Sequence, residues 1–435
     1  MTSHNNAYKE KHKSVDEVAA LVESGWVCAT DSGISIPYDT FAAVGERVRN
    51  GELRDITLHT FLELQPLPYF DAELSKEIKG VSWFSAGARK PVNKGLVDVA
   101  PNYFRDVPSL FLDYVDIDAL FLVVSPMDKH GYFSTCNATS SFSLLKKAKR
   151  LYIEVNKNMP RVATTSSIHI SHVTALCEND KELPTLAPPK SDEITDQIGS
   201  IIAEQVPNGA TLQFGIGAVP NAVGMLLKNK RDLGIHSEMF GESMLELLEC
   251  GAANNSKKPI HTGRTVATFA YGPKLLYEFV DDNPGVEMLP VNYTNDPAII
   301  AKHPNMISIN AAVEVDFFGQ VCAESVGTRH LSGAGGQPDF VRGAVLSPGG
   351  KSFIAFPSTV TTADGKISSR ICPVLQHGSV VTTSKNDVDH IVTEYGIAKL
   401  RGQSVYQRAR ALISIAHPDF RDELTFKARE LNIMI

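Results

Sequence analysis

The sequence predicts an α/β protein with two related open α/β domains, each built on a mostly parallel sheet. Short apolar runs of strand length alternate with amphipathic helical segments along the chain, a pattern typical of parallel sheets covered by helices. A proline-rich segment divides the chain near its middle. Each half also begins with a helix, a strand, a glycine turn and a second helix, the turns being Gly33–Pro37 and Gly215–Pro220. These observations predict two similar domains.

The composition excludes several classes of protein. Of 435 residues, 43% are hydrophobic and 21% are charged, as in ordinary globular chains. The net charge of −7 argues against a nucleic-acid groove. No apolar run approaches the ~20 residues of a membrane span, and the first residues lack a signal-peptide pattern. Six scattered cysteines without CxxC spacing favour a reducing compartment, so we expect a cytoplasmic protein.

The local patterns place individual elements. Ser14 and Glu17 form a capping-box pattern that predicts a helix to about Ser24, followed by a strand over Trp26–Thr30. Apolar runs predict further strands at Ile56–Leu64, Ala119–Val124 and Leu151–Val155.

The domain boundary is predicted within Lys181–Lys190, because three prolines in ten residues cannot continue a helix or a central strand. The first domain then covers residues 1–185 and the second covers 190–435. Ser191 or Asp192 is placed to cap the next helix, and Thr211–Phe214 is predicted as a strand.

The segment Gln213–Pro220 is a predicted strand that runs into a glycine turn and a helix. Glycines allow backbone N–H groups to approach a ligand closely, and a helix N-terminus favours an anion. The pattern approaches a dinucleotide fingerprint, with Glu238 about 20 residues further on. However, Pro220 occupies the third glycine position, where helix–strand packing requires a small side chain. A purely structural turn remains an alternative.

Glu238 lies in the segment Gly234–Phe240, at the end of an otherwise apolar strand and just before a helix that begins near Gly241. Ligands bind at the carboxyl ends of strands in open α/β sheets. A partly desolvated carboxylate there is a stronger nucleophile than one in water. The alternative is an ordinary surface glutamate.

The segment Leu331–Phe340 carries three glycines in four residues. This density predicts either backbone packed against a ligand or an oxyanion, or a flexible surface loop. His169 and His172 lack helical ligand spacing and a nearby carboxylate, so no metal site is expected.

Five segments in order resemble the acetyl-CoA hydrolase/CoA-transferase family, and within it the 4-hydroxybutyrate and butyryl-CoA:acetate CoA-transferases. They are QFGIGAVP (Gln213–Pro220), GIHSEMF (Gly234–Phe240), FGQVCAES (Phe318–Ser325), SGAGGQPDF (Ser332–Phe340) and VTEYGIAKLRG (Val392–Gly402). The resemblance implies two CoA-transferase-type domains with the active site between them. It also implies a homodimer or higher homo-oligomer that uses acyl-CoA and short-chain carboxylates as substrates, with no prosthetic group.

The resemblance also implies roles for individual residues. Glu238 would be the nucleophile that carries CoA as a glutamyl thioester, which predicts ping-pong kinetics, and a role as general base is the alternative. The residues implied to bind CoA are Gln213, Gly215, Ile216, Gly217, Asn310, Val313, Gly335 and Gly336. No metal ligand is implied.

Three other functions remain open at this point. An acyl-CoA hydrolase of the same fold would use water in place of the second carboxylate, and a CoA-binding protein would have no turnover. A nicotinamide dehydrogenase is disfavoured by Pro220. Relatives usually have Ser-Asp-Gly where this chain has Gly241-Glu242-Ser243, so the acyl and acceptor specificity also stays open.

Overall fold

The structure is a computed structural model that describes residues 3–187, 190–362 and 365–434. The described residues form two compact units. Unit 1 contains the residues up to Ala187 together with Val266–Thr294 and Leu331–Gly333. Unit 2 contains the described residues from 190 to 265, Asn295–His330 and the chain from Ala334 onward. Two segments that follow the middle of the chain therefore belong to unit 1.

Within the described residues, the first part of unit 1 contains ten strands, seven of which form one sheet. They are β1 (Val27–Ser32), β2 (Ile56–Phe61), β3 (Ile78–Ser82), β4 (Val97–Val99), β5 (Ala119–Val124), β6 (Tyr132–Phe133), β7 (Arg150–Val155), β8 (Ala163–Thr164), β9 (Ile168–His169) and β10 (Ala175–Glu178). The sheet has the order β10-β7-β5-β1-β2-β3-β4, and all its pairs are parallel. The central strand β5 is buried along its whole length, as its unbroken apolar run predicts.

The helices in this part are α1 (Ser3–Lys11), α2 (Val15–Ala19), α3 (Tyr38–Arg49), α4 (Arg89–Asn93), α5 (Val107–Tyr114) and α6 (Ser141–Lys147). The capping box of Ser14 and Glu17 is confirmed at the start of α2. The predicted extension to Ser24 is wrong, because the Arg47 guanidinium donates to the carbonyl oxygens of Ala19 and Val22 at 2.7 and 2.9 Å. Those carbonyls are therefore satisfied without further helix.

The next part belongs to unit 2 and begins after the predicted linker, whose Pro188 and Pro189 lie outside the described residues. Its elements are α7 (Glu193–Glu204), β11 (Thr211–Phe214), α8 (Ala218–Leu226), β12 (Gly234–Ile235), β13 (Met239–Phe240) and α9 (Glu242–Glu249). Asp192 caps α7, accepting from the Thr195 N–H at 2.8 Å. The predicted strand Thr211–Phe214 is confirmed.

The remaining elements complete both units. They are β14 (Thr265–Ala267), β15 (Phe269–Ala270), α10 (Lys274–Val280), β16 (Val286–Met288), α11 (Val291–Thr294), α12 (Pro297–Ile300), β17 (Met306–Ala311), β18 (Glu314–Asp316), β19 (Val321–Cys322), β20 (Ser325–Val326), β21 (Arg329–His330), α13 (Gln337–Leu346), β22 (Lys351–Ala355), β23 (Thr359–Thr361), β24 (Ile367–Ser369), β25 (Ile371–Cys372), β26 (His390–Thr393), β27 (Gly396–Lys399), α14 (Val405–Ser414) and α15 (Pro418–Glu430).

Unit 2 is built on a six-stranded sheet with the order β12-β11-β17-β22-β26-β27. Its pairs are parallel except for the hairpin of β26 and β27. A large part of its core is formed by buried residues such as Phe317, Ile354 and Ile391. The predicted class, an α/β protein with two mostly parallel sheets, is confirmed. No helix in the described residues is long and apolar enough to cross a bilayer.

Candidate active site

Most of the residues singled out in the second half of the sequence lie at the carboxyl ends of three neighbouring strands of unit 2, whereas Gly335 and Gly336 directly precede the helix α13. The turn Gly215–Gly217 follows β11, and Asn310 and Val313 lie at and just beyond the end of β17. Glu238 follows β12, which pairs with β11 on its other side. The parallel direction of these strands brings their carboxyl ends to one edge of the sheet, where open α/β proteins bind ligands.

Glu238 stands at the border between the interior and solvent. After β12, the His236 N–H donates to the Leu212 carbonyl at 3.1 Å, and His236 and Ser237 are fully buried. Glu238 itself is only partly exposed, and Phe240 is buried again at the end of β13. The chain on both sides of the carboxylate is therefore anchored in the interior of unit 2.

Two donors hold the Glu238 carboxylate. Asn295 Nδ2 donates to Glu238 Oε2 at 2.7 Å, and the backbone N–H of Gly336 also donates to the carboxylate. Burial raises the pKa of Glu238 to about 7, although both hydrogen bonds oppose this rise because they favour the charged form. Near neutral pH the residue is therefore present in both protonation states, and its ionised form is poorly solvated.

Gly336 can only be glycine in this arrangement. A Cβ atom at this position would lie 2.1 Å from Glu238 Oε2 and 2.4 Å from Asn295 Nδ2. Gly335, immediately before it, is buried and has a φ of +56°, a left-handed conformation that favours glycine. This part of the glycine-rich segment is thus backbone packed against a carboxylate, and the alternative of a flexible surface loop is wrong for it.

Asn295 contacts Glu238 although no motif in the sequence includes it, whereas its neighbour Asp339 and Gln337 belong to the glycine-rich segment Leu331–Phe340. Asn295 immediately precedes the residue that caps α12, and its Nδ2 also lies 3.4 Å from Oδ2 of Asp339 in the first turn of α13. Asn295 Oδ1 and Gln337 Nε2 are buried and have no hydrogen-bond partner within the described ranges. Nothing in the local sequence marks Asn295 as functional, since an Asn beside the Asp296–Pro297 helix start looks like ordinary turn chemistry.

A buried lysine supports the strand that carries Glu238. Lys258 is 2% exposed, and its Nζ donates to the carbonyl oxygens of Ile235 and Arg264 at 2.8 and 2.6 Å. Its stem packs so closely that a Cβ at Gly234 would lie 2.8 Å from Lys258 Cγ. Nothing in the sequence predicts this role for Lys258, because a lone lysine is normally a surface residue.

The side chains of Gln213 and Asn310 bond to each other. Gln213 Nε2 donates to Asn310 Oδ1 at 3.1 Å, and Gln213 Oε1 accepts from Asn310 Nδ2 at 3.1 Å and from Ser308 Oγ at 2.7 Å. All three residues are nearly inaccessible. A Cβ at Gly215 would lie 2.6 Å from Asn310 Oδ1. The network therefore packs directly against the backbone of the glycine turn.

The turn itself presents backbone and one apolar side chain to solvent. Ile216 is 46% exposed, and Gly217 adopts a φ of +144° before α8 begins. Pro220 lies in the first turn of α8, a position where its missing N–H costs no helical bond. Val313 is half-buried and its N–H donates to the Cys322 carbonyl at 2.8 Å.

We expect the Asn295→Ala substitution to shift the pH dependence of the CoA-transfer activity that the sequence predicts toward higher pH. The hydrogen bond from Asn295 stabilises the ionised form of Glu238. Without this bond, the pKa of Glu238 should rise above its present value of about 7. If ionised Glu238 is the reactive form, activity falls as pH drops through this pKa. The acidic limb of the kcat/KM–pH profile should then shift upward by about one pH unit.

The shift can be separated from a general loss of structure. Asn295→Asp adds a like charge and should move the limb further up than alanine does. Asn386→Ala, at an exposed asparagine of the same unit, should leave the profile unchanged. An unaltered acidic limb in both Asn295 variants would show that Asn295 does not control the ionisation of Glu238.

Comparison with known proteins gives a consistent result. The N-terminal domain model of the acetyl-CoA hydrolase/transferase family matches residues 1–188, and the C-terminal domain model matches residues 272–428. The chain is 46% identical to succinyl-CoA:cyclohexane-1-carboxylate CoA transferase of Geobacter metallireducens, over 99% of this chain and 98% of that one. It is 42% identical to 4-hydroxybutyrate coenzyme A transferase of Clostridium kluyveri, over 97% and 98%.

A solved structure aligns with nearly the whole chain. The crystal structure of 4-hydroxybutyrate CoA-transferase from Porphyromonas gingivalis aligns with a TM-score of 0.83 and 33% identity, over 98% of this chain and 99% of that one. The fold, a carboxylate at a strand end and these matches define the class, an α/β enzyme of the CoA-transferase type. The chain belongs to the acetyl-CoA hydrolase/transferase family.

Proposed function

We propose that the chain transfers CoA between a short-chain acyl-CoA and a carboxylic acid, with Glu238 as the nucleophile. The observation that carries this proposal is the Glu238 carboxylate itself, which is partly desolvated, raised in pKa to about 7 and held by Asn295 and the Gly336 N–H. An ionised carboxylate needs no general base to attack a thioester. The high sequence identity to named CoA transferases supports the same reaction class.

The proposed reaction has two symmetrical halves. Glu238 Oε attacks the thioester carbonyl carbon, the C–S bond breaks, and a mixed anhydride and CoA thiolate result. The thiolate then attacks the glutamyl carbonyl carbon, which releases the first carboxylate and leaves a glutamyl-CoA thioester. A second carboxylate reverses these steps and leaves as its CoA thioester. A serine or cysteine could not serve, because the enzyme group must itself be the acid that carries CoA.

The donors around Glu238 have a second use in this scheme. During each attack on the glutamyl carbonyl, negative charge develops on a carboxyl oxygen of Glu238. The Asn295 amide and the Gly336 N–H already point at such an oxygen and would stabilise this charge without reorganisation. They would therefore act in the transition state as well as in the resting enzyme.

We propose that CoA contacts the glycine turns through backbone atoms. Gly215, Ile216 and Gly217 stand at the carboxyl end of β11 ahead of α8, where exposed backbone and the apolar Ile216 can face CoA. Gly335 and Gly336 would flank the thioester, and Val313 the pantetheine. Gln213 and Asn310 would act indirectly, since their side chains are buried and bonded to each other.

For the acid pair, we propose 4-hydroxybutyrate or butyrate with acetate or acetyl-CoA as its partner. The similarity to two 4-hydroxybutyrate CoA-transferases supports this pair. Succinate and cyclohexane-1-carboxylate are the competing acids, because the Geobacter relative is named for them. We further propose a cytoplasmic homo-oligomer with its domain boundary between residues 185 and 190, close to the end of the first part of unit 1 at Ala187.

The covalent step is tested by trapping. The protein is incubated with butyryl-CoA or acetyl-CoA, treated with borohydride and weighed intact. Borohydride reduces a glutamyl thioester to an alcohol, so the wild type should lose one oxygen, gain two hydrogens and lose activity, only when acyl-CoA is present. Glu238→Ala should not change in mass, whereas Glu423→Ala, at an exposed glutamate of unit 2, should behave as wild type.

The same samples separate the transferase from a hydrolase and rank the acids. With butyryl-CoA alone a transferase releases little free thiol, and added acetate should produce acetyl-CoA. Replacing acetate by succinate or cyclohexane-1-carboxylate identifies the preferred acceptor. If thiol release is rapid without any acceptor, or if Glu238→Ala is trapped as readily as wild type, the proposed mechanism is wrong.

A further inference from the structure

A pair of buried histidines lies close to Glu238 in the chain, and the proposed reaction does not use it. His303 and His236 are both fully buried, and His303 Nε2 lies 3.2 Å from His236 Nδ1. At this distance the two rings share one hydrogen bond. His236 stands two residues before Glu238, and its backbone N–H is bonded to the Leu212 carbonyl. The histidine pair therefore reaches the backbone that carries the carboxylate.

The burial of His303 keeps its ring neutral. Desolvation, and to a smaller extent the nearby Lys258 and His261, lowers the pKa of His303 to about 3. A neutral imidazole has one N–H donor and one acceptor nitrogen. His303 Nδ1 is buried and has no hydrogen-bond partner among the described residues. The tautomer with its proton on Nε2 leaves no N–H of His303 unpaired, so in this assignment His303 donates to His236 Nδ1.

Two helices carry the donors of the Glu238 carboxylate at their beginnings. Asn295 directly precedes the residue that caps α12, and Gly336 directly precedes α13. The helices pack closely, since a Cβ at Gly343 in α13 would lie 2.5 Å from Cβ of Ile300 in α12. The packing of α12 against α13 therefore sets the relative position of the two donors.

The other ends of the same two helices are joined at His303. This residue lies three positions after the end of α12, and its carbonyl oxygen accepts at 2.6 Å from Oγ of Ser347, the residue that ends α13. The chain that carries Glu238 is thus bonded to the helix pair at two points. Asn295 bonds the carboxylate itself, and His303 bonds His236 two residues earlier.

We propose that His303 is a positioning residue for Glu238 and acts through His236. The hydrogen bond between the two histidines holds the chain with Glu238 in place against Asn295 and Gly336, so the carboxylate keeps both donors during the reaction. Reacting groups must be held within about 0.5 Å of their productive geometry by supporting contacts of this kind. The inference rests on the proposed role of Glu238 as the nucleophile.

The test compares two substitutions of His303 in steady-state assays with butyryl-CoA and acetate. His303→Leu removes the bond to His236, so kcat should fall about 10- to 100-fold while both KM values change less than about three-fold. His303→Gln should retain kcat within a few-fold of wild type, because its amide nitrogen can take the place of Nε2. His377→Leu, at an exposed histidine of the same unit, should behave as wild type.

A merely structural histidine would affect stability without affecting Glu238, so two further measurements are made. His303→Leu should raise the pKa of Glu238, because the bond from Asn295 loosens. This pKa is measured without any reaction, from the pH dependence of the difference in thermal midpoint between each protein and its Glu238→Gln variant. In the Asn295→Ala background, His303→Leu should cause little further loss of kcat, since both changes act on the same contact.

If His303→Leu does not fold, His303→Asn replaces it, because its amide remains polar but is too short to reach His236. The inference is wrong if kcat and the pKa of Glu238 keep their wild-type values, if the losses from His303→Leu and Asn295→Ala add fully, or if a folded His303→Gln is as slow as His303→Leu. Failure of the proposed function gives a different result: the wild type is then not trapped by borohydride, while the pKa of Glu238 still responds to His303→Leu.

Discussion

Replacing Glu238 by glutamine is expected to lower kcat for CoA transfer by about four orders of magnitude or more, the usual effect of removing a covalent nucleophile. Glutamine keeps the size of the side chain and can still bond Asn295 and Gly336 through its carbonyl oxygen. The loss should therefore reflect chemistry rather than a change in packing. The measurement is a steady-state assay with butyryl-CoA and acetate, in which KM should change much less than kcat.

The same variant should be more stable than the wild type at alkaline pH. Burial raises the pKa of Glu238 to about 7, so the folded state binds its proton more tightly than the unfolded chain does. The stability that this group contributes is complete at pH values below its ordinary pKa and is lost as pH rises through 7. The thermal midpoint of Glu238→Gln relative to wild type should thus increase between pH 5 and pH 8.

A matched variant serves as the control for both measurements. Glu423→Gln changes an exposed glutamate on α15 and should leave kcat and the pH dependence of the thermal midpoint unaltered. If Glu238→Gln retains a substantial part of wild-type kcat, Glu238 is not the nucleophile. If its relative stability does not change with pH, the carboxylate is not desolvated as the structure indicates.

Gly336→Ala is expected to have the second-largest effect, a loss of about 100-fold or more in kcat/KM. The added Cβ would lie 2.1 Å from Glu238 Oε2 and 2.4 Å from Asn295 Nδ2, both far inside contact distance. The carboxylate and its donor must move apart, and displacements of about 1 Å at a reacting group cost this much in rate. The backbone is not the obstacle, since Gly336 has a φ of −89° that alanine readily adopts.

The effect should be confined to the site. Gly241→Ala serves as the matched control, because Gly241 lies near Glu238 in sequence, has a φ of −123° and would bring its Cβ only to 3.2 Å from the flexible end of Met239. Its kcat/KM should stay within a few-fold of wild type. Near-normal activity of Gly336→Ala would mean that Glu238 and Asn295 function in a different arrangement from the one described.

Much of the architecture was predictable because it depends on local rules. The capping box of α2, the cap of α7 at Asp192, the strand Thr211–Phe214 and the buried run Ala119–Val124 each follow from residues a few positions apart. The end of α2 could not be predicted in this way, because the carbonyl oxygens at which the helix stops are bonded by Arg47, a residue far along the chain. Periodicity carries no information about such a distant donor.

The candidate site divides in the same way. The sequence by itself determined the α/β class, the family and the choice of Glu238, because a carboxylate at the end of an apolar strand and five ordered motifs can be recognised in one dimension. Only the tertiary structure decided that Asn295 and the Gly336 N–H hold that carboxylate, that Lys258 supports its strand, and that Gln213 and Asn310 bond to each other. Hydrogen bonds and desolvation depend on distances in space, and residues 57 or 97 positions apart become neighbours only when the sheet forms.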